Sequence, residues 1–142
     1  SVEIKCEGDL HIDEHHTVED VAITLGDALS RALSTKAGIE RYGFTLPMDD
    51  AKCSVAIDLS GRPFFKFDGE FTRESIGGLP TELIIHFFYT ISQHLKANIH
   101  ISVTGDDDHH KAEACFKCFG RAFSQAINKT KATGVPSTKG TL

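Results

Sequence analysis

The sequence predicts an α+β fold of two duplicated half-domains, with antiparallel sheets and helices packed on one face. Three observations carry this. Short segments of period-two alternation are interspersed with longer segments of helical spacing. The strands keep one polar face, as antiparallel sheets covered on one side do. One unit occurs twice: His15-His16-Thr17-Val18-Glu19 and His109-His110-Lys111-Ala112-Glu113, a constant 94 positions apart (109 minus 15), each after an acidic stretch and before an amphipathic helix.

In chain order, Val2, Ile4 and Cys6 alternate with Glu3, Lys5 and Glu7, which predicts a half-buried strand turned by Gly8 and Asp9. After His15-His16, residues Val21, Ala22, Leu25, Ala28, Leu29, Ala32 and Leu33 recur at helical spacing, and Gly38 is expected to end that helix. Cys53, Val55, Ile57 and Leu59 mark a second strand, Ser60-Gly61-Arg62-Pro63 a turn, and Phe64 to Phe71 a further strand or two. Pro80-Thr81-Glu82 starts a helix with Leu83, Phe87, Ile91 and Leu95 on its apolar stripe. Ile99, Ile101 and Val103 form another strand, turned by Gly105. The last helix carries Phe116, Phe119, Ala122, Phe123, Ala126 and Ile127. A polar tail follows. The repeat divides the chain into 1–45, the remainder of a first half, 46–130, a second half, and a tail over 131–142.

The chain has 142 residues, 40% apolar and 25% charged, with a formal net charge of -5. That is ample for one core and ordinary for a globular domain. An acidic balance argues against nucleic acid as partner, since phosphate neutralisation calls for a basic face. It leaves room for a small phosphorylated substrate met by a local cluster of Lys and Arg. No apolar run is long enough to span a bilayer, so no membrane role and a cytoplasmic setting are expected. Cys115-Phe-Lys-Cys118 lies inside a helix rather than at its start, where a dipole would activate a thiol; buried, reduced thiols are the expectation.

The repeated motif points to metal. Imidazole nitrogens with a carboxylate one turn on suit a divalent first-row cation, and residues three and four apart share a helix face. His15 or His16 can therefore approach an ion together with Glu19, and His109 or His110 with Glu113. Adjacent histidines point apart and more naturally serve two ions. The order differs from the zincin arrangement, and a mixed donor set of more than four favours Mn²⁺ or Fe²⁺ over structural zinc. Asp13, Glu14, Asp20 and Asp106 to Asp108 would supply negative field and acceptors for the ligating imidazoles. His86 is a weaker candidate ligand, and His11, His94 and His100 are read as non-ligands. Arg41, Arg62, Lys117, Ser137 and Lys139 are cations and a hydroxyl able to cradle phosphate; spacing alone does not bring them together.

These stretches resemble one family. Gly8-Asp9 through Glu19-Asp20, Pro47-Met48-Asp49, Asp58-Leu59-Ser60-Gly61-Arg62-Pro63, His86-Phe87-Phe88, His109 to Lys117 and Pro136-Ser137-Thr138-Lys139-Gly140 are similar, in order, to the signatures of imidazoleglycerol-phosphate dehydratases. The resemblance implies dehydration of imidazole glycerol phosphate to imidazole acetol phosphate in histidine biosynthesis, with two Mn²⁺ ions per site and Fe²⁺ or Zn²⁺ as substitutes. It implies His15, His16, Glu19, His86, His109, His110 and Glu113 as metal ligands. Arg41, Met48, Asp49, Arg62, Lys117, Ser137 and Lys139 would bind substrate. It also implies a homo-oligomer of twenty-four subunits with sites between them. The family's first strands, a catalytic glutamate and an Asp-His-Met helix have no counterpart here. A separate N-terminal piece is therefore expected to supply them, or the chain alone is an inactive fragment. Among the residues present, Glu19, His16 and Glu113 are the catalytic candidates.

The chemistry agrees. A ring nitrogen on a cation favours imidazolate, whose electrons help expel the neighbouring hydroxyl while a base takes a proton from carbon. Two rival readings remain: a metallohydrolase using the same ligands to activate water, and a metal-assembled structural or storage module.

Overall fold

A computed structural model describes residues 2–43 and 46–142. Its elements run α1 (His15–Leu33), β1 (Tyr42–Gly43), β2 (Leu46–Met48), β3 (Ala51–Asp58), β4 (Phe64–Asp68), β5 (Ser75–Ile76), β6 (Leu79–Pro80), α2 (Thr81–Leu95), β7 (Asn98–Thr104) and α3 (Asp108–Ala126). Five strands make one sheet in the order β1-β3-β7-β4, with β2 also on β3; β5 and β6 form a small hairpin.

The sheet is built on β3 and β7. Their antiparallel register sets Cys53 opposite Val103, Val55 opposite Ile101 and Ile57 opposite Ile99, and all six side chains are buried. Period two makes this row one face, which α2 and α3 cover. The alternate row, including Lys52, His100, Ser102 and Thr104, is exposed. Antiparallel pairing is as expected for β1, β2 and β7 on β3, while β4 pairs with β7 in parallel. The reason is the connection: β4 reaches β7 through α2, and a helical crossover returns the chain in the same direction.

The expected strand at residues 2–6 does not form. Residues 2–9 hold no regular structure, and Val2 and Ile4 are 67% and 57% exposed. Alternation marks a row of apolar side chains, but a strand needs a neighbour for its backbone groups. None of the described strands pairs with this segment; it runs beside Val21, Leu25, Ala28 and Leu29 of α1. Helix α1 also ends earlier than Gly38, at Leu33, capped by Ser34 with φ 49°. The stretch Phe64 to Phe71 yields strand only to Asp68.

The starts of the two motif helices correspond. Asp13 Oδ1 accepts from His15 N at 2.5 Å, and Asp107 Oδ1 accepts from His109 N at 2.7 Å, each satisfying an otherwise orphaned donor at a helix start. Helices α1 and α2 lie side by side, with Glu19 meeting His86 and, two turns on, Asp27 meeting His94 at 3.0 Å. Gly26 permits this closeness: a Cβ there would stand 2.7 Å from His94 Cβ. Its counterpart 94 positions on, Gly120 of α3, faces open space.

Buried polar groups tie the remaining loops down. Lys111 Nζ pairs with Asp108 at 2.5 Å and donates to Glu70 O at 2.7 Å. Asp108 Oδ2 accepts from Thr72 N, Thr72 Oγ1 and Arg73 N. Burial pushes the Asp108 carboxyl up, but the Lys111 ammonium and those donors outweigh it and hold it at about 2. The tail crosses the other end of the sheet, where Pro136 O accepts from Arg41. No helix of the described residues is long and apolar enough to cross a membrane.

Candidate metal and substrate site

Helix start, helix pitch and helix pairing together place three donors at one point. His15 and Glu19 are one turn apart on α1, and α2 lays His86 against them. The ligand atoms of His15, Glu19 and His86 lie within 4.8 Å of one another. His86 Nε2 is 3.2 Å from Glu19 Oε1 and 3.5 Å from Thr90 Oγ1, and the rings of His15 and His86 are 4.8 Å apart. All three residues are half-buried. Two imidazoles and a carboxylate, with no thiolate, form a nitrogen–oxygen donor set that suits Mn²⁺, Fe²⁺ or Zn²⁺, so these residues fit a divalent cation. His16 points elsewhere: it is exposed, and its ring meets His15 edge-on at 77°.

The second copy is arranged differently. His109 Nε2 is 3.7 Å from Glu113 Oε2, and Glu113 Oε1 pairs with Lys117 Nζ at 2.6 Å. Lys117 holds the Glu113 carboxyl below the usual range, so Glu113 is a carboxylate at neutral pH. His110 turns to Asp50, whose carboxylate meets its Nδ1 and raises the imidazole's affinity for a proton. No histidine from another element of the described residues joins this cluster.

The predicted substrate residues fall into two groups. Met48, Asp49 and Lys117 line one cleft of about 350 Å³ beside α3, with Leu46, Pro47 and Ala114, and Lys117 Nζ approaches Met48 Sδ at 3.6 Å. Arg41 and the tail lie at the opposite end of β3. Arg41 forms a two-pronged pair with Asp58, at 2.6 and 3.1 Å, and donates to Pro136 O at 2.8 Å. Ser137 Oγ accepts from Lys139 N, and the chain end at Leu142 closes on Gly61, beside Arg62. The span from Ala51 to Asp58 separates the groups by roughly 20 Å at about 3.3 Å per residue.

The sequence assigns the imidazoles' acceptors to Asp13, Glu14, Asp20 and Asp106 to Asp108. The structure gives Asp13 and Asp107 to backbone donors and Asp108 to Lys111. Among the described residues, the carboxylate outside the motifs that reaches a motif histidine is Asp50, missed although it adjoins Pro47-Met48-Asp49. The thiols stand as expected: Cys53, Cys115 and Cys118 are buried, and the Cys115 contact pushes Cys53 up to about 12.

A mixed sheet layered with helices, carrying a donor set suited to a divalent cation between two of them, defines an α+β protein with an imidazole–carboxylate centre. More narrowly, the chain belongs to the imidazoleglycerol-phosphate dehydratase family, whose pattern matches residues 1–123. It is 54% identical over 142 residues to the histidine biosynthesis bifunctional protein HisB of Stenotrophomonas maltophilia (strain K279a), covering all of this chain and 40% of that one. To the protein of the same name from Legionella pneumophila subsp. pneumophila (strain Philadelphia 1) it is 55% identical over 139 residues, covering 98% of this chain and 39% of that one. The chain thus spans about 40% of the length of these curated relatives. Among solved structures it is similar to imidazoleglycerol-phosphate dehydratase from Staphylococcus aureus, with TM-score 0.81, 34% identity and coverage of 89% of this chain and 72% of that one. It is also similar to the Pyrococcus furiosus enzyme crystallised with (S)-C348, with TM-score 0.78, 35% identity, and coverage of 91% and 72%.

Proposed function

We propose that this chain contributes to a metal-dependent centre that dehydrates imidazole glycerol phosphate to imidazole acetol phosphate in histidine biosynthesis. The single observation that carries the reading is the convergence of His15, Glu19 and His86 from two helices on one point. Family membership gives that convergence its substrate.

His15, Glu19 and His86 would hold one divalent ion, and His109, His110 and Glu113, with His16, would contribute to a second; Mn²⁺ is the proposed metal, with Fe²⁺ or Zn²⁺ as substitutes. When bound, the ions draw charge from the substrate's ring and favour its deprotonated form, which lowers the barrier to losing the neighbouring hydroxyl. The chain's own residues do the rest. Glu113, kept ionised by Lys117, can accept a proton but not supply one at neutral pH. Glu19 and the exposed His16 are the other proposed proton carriers. Loss of hydroxyl and a carbon-bound proton gives an enol, which becomes the ketone product. Lys117, Met48 and Asp49, which line the cleft beside α3, would meet the substrate's polar end.

A further part of the proposal concerns assembly. One small phosphorylated substrate cannot touch both Lys117 and the Arg41, Arg62, Ser137 and Lys139 group across roughly 20 Å of strand. The separation supports a homo-oligomer in which one copy presents its helix starts and another its tail. The same reading places the chain's activity in the cytoplasm and leaves room for a further N-terminal piece.

The test is turnover of imidazole glycerol phosphate as Mn²⁺ is added back to chelator-treated protein. Metal-dependent formation of the ketone without phosphate release is expected. Phosphate release instead would favour a hydrolase, and assembly without any turnover would favour a structural role.

A further inference from the structure

We infer that Asp50 is a positioning residue that selects which nitrogen His110 offers to a cation; this rests on reading His110 as a metal ligand. Asp50 sits in the turn between β2 and β3, outside both histidine motifs. Its Oδ2 accepts from two successive backbone donors ahead of α3, Asp106 N at 2.9 Å and Asp107 N at 3.0 Å. Two bonds on one oxygen fix the plane of the carboxylate, and the other oxygen, Oδ1, is thereby aimed at His110 Nδ1.

An ionised carboxylate accepts and never donates. His110 must therefore carry its hydrogen on Nδ1, and a neutral imidazole has only one, so the lone pair stands on Nε2. Carboxylates behind ligating histidines work this way at metal centres generally. Asp49 in the same turn and Met48 at the end of β2 line a cleft together with Lys117. Asp50 thus joins the cleft wall, the start of α3 and one imidazole in a single carboxylate. The first cluster is ordered by other means: His86 meets Glu19 itself, and Asp13 accepts from the backbone amide of His15.

Asp50→Asn separates orientation from stability. The amide oxygen can still accept from Asp106 N and Asp107 N, which leaves its NH2 facing His110. A donor there pairs only with a bare Nδ1, so the ring hydrogen moves to Nε2 and the lone pair is lost from that side. Three measurements on the protein and its variants are informative: Mn²⁺ titration, nitrogen NMR of the His110 ring in alkaline metal-free buffer, and the thermal midpoint. In Asp50→Asn the weaker of the two Mn²⁺ affinities is expected to fall about 10- to 100-fold. His110 is expected to switch from the Nδ1–H to the Nε2–H form while the midpoint stays close to that of the parent. Asp50→Glu, which restores an acceptor, should return the Nδ1–H form.

Unchanged Mn²⁺ affinity with an unchanged ring form in Asp50→Asn would overturn the inference. So would a drop in affinity accompanied by unfolding and no change of ring form. If the parent protein binds no Mn²⁺ at all, the metal reading fails, and the NMR comparison still decides whether Asp50 sets the ring.

Discussion

Helices α1 and α3 begin with the same His-His-x-x-Glu motif and the same aspartate contact to the first histidine's amide, yet their faces meet different surroundings. On α1, the row Glu19, Ala22, Gly26 lies against α2, which brings His86 to Glu19 and His94 to Gly26. On α3, the row shifted by 94 is Glu113, Phe116, Gly120. There Phe116 touches Phe87 and Phe88 but is still 41% exposed, and nothing approaches Gly120. A motif on one helix supplies two donors at most to one point; a packed neighbouring helix supplies the third. The difference teaches that the repeat encodes ligands, while the completeness of a site is decided by what packs beside it.

The largest expected effect lies outside both clusters, at the start of α3. Asp108→Ala leaves the buried Lys111 without its counter-charge and should cost roughly 3–5 kcal/mol in urea unfolding. A carboxylate cut on α1, Asp27→Ala, removes a half-exposed pair with His94 and should cost less than about 1 kcal/mol. The pH dependence follows from the same carboxyl. Its folded value of about 2 lies below the ordinary 3.8, so its contribution is complete above the ordinary value and is lost as pH falls through 2. Acid titration of the parent should show a loss of stability in that window which Asp108→Ala lacks.

Next in size is His86→Ala. It removes one of the three donors where α1 meets α2, and Mn²⁺ affinity there should fall by more than about 100-fold, or about 2.7 kcal/mol at 1.36 kcal/mol per decade. The α3 cluster should keep its affinity, as metal analysis after dialysis would show. Equal loss at both would mean that the clusters share one ion.

The smallest effects compare the two glycines. Gly26→Ala drives a methyl against His94 Cβ and Leu95 N and should destabilise by about 1–3 kcal/mol. Gly120→Ala meets open space and should stabilise by up to about 1 kcal/mol through helix propensity. Thermal melts of the two variants check the opposite signs. A destabilising Gly120→Ala in the assembled protein would mean that a second surface covers α3 as α2 covers α1.

Periodicity made the helices legible, most clearly on α2, where Leu83, Ile91 and Leu95 are buried and Phe87 half-buried; on α1 the expected row buries only Ala22, and Ala28 and Ala32 are exposed. It also located β3 and β7. It misjudged Val2, Ile4 and Cys6, since a pattern of side chains does not reveal whether a pairing strand exists. The parallel β4–β7 ladder was hidden because direction depends on the connection through α2 rather than on either strand's residues. Within the candidate site, the motif histidines and carboxylates were legible from their spacing. Asp50 was not, because its partners stand more than fifty residues away and only the turn brings them together. Arg41 was legible as a cation, while its two-pronged engagement with Asp58 needed the fold.

The most direct measurement is an anomalous difference map from crystals grown with manganese. The account predicts a peak bonded jointly to His15, Glu19 and His86, where α1 meets α2. A map without a peak between those three side chains, at full manganese loading, would contradict it.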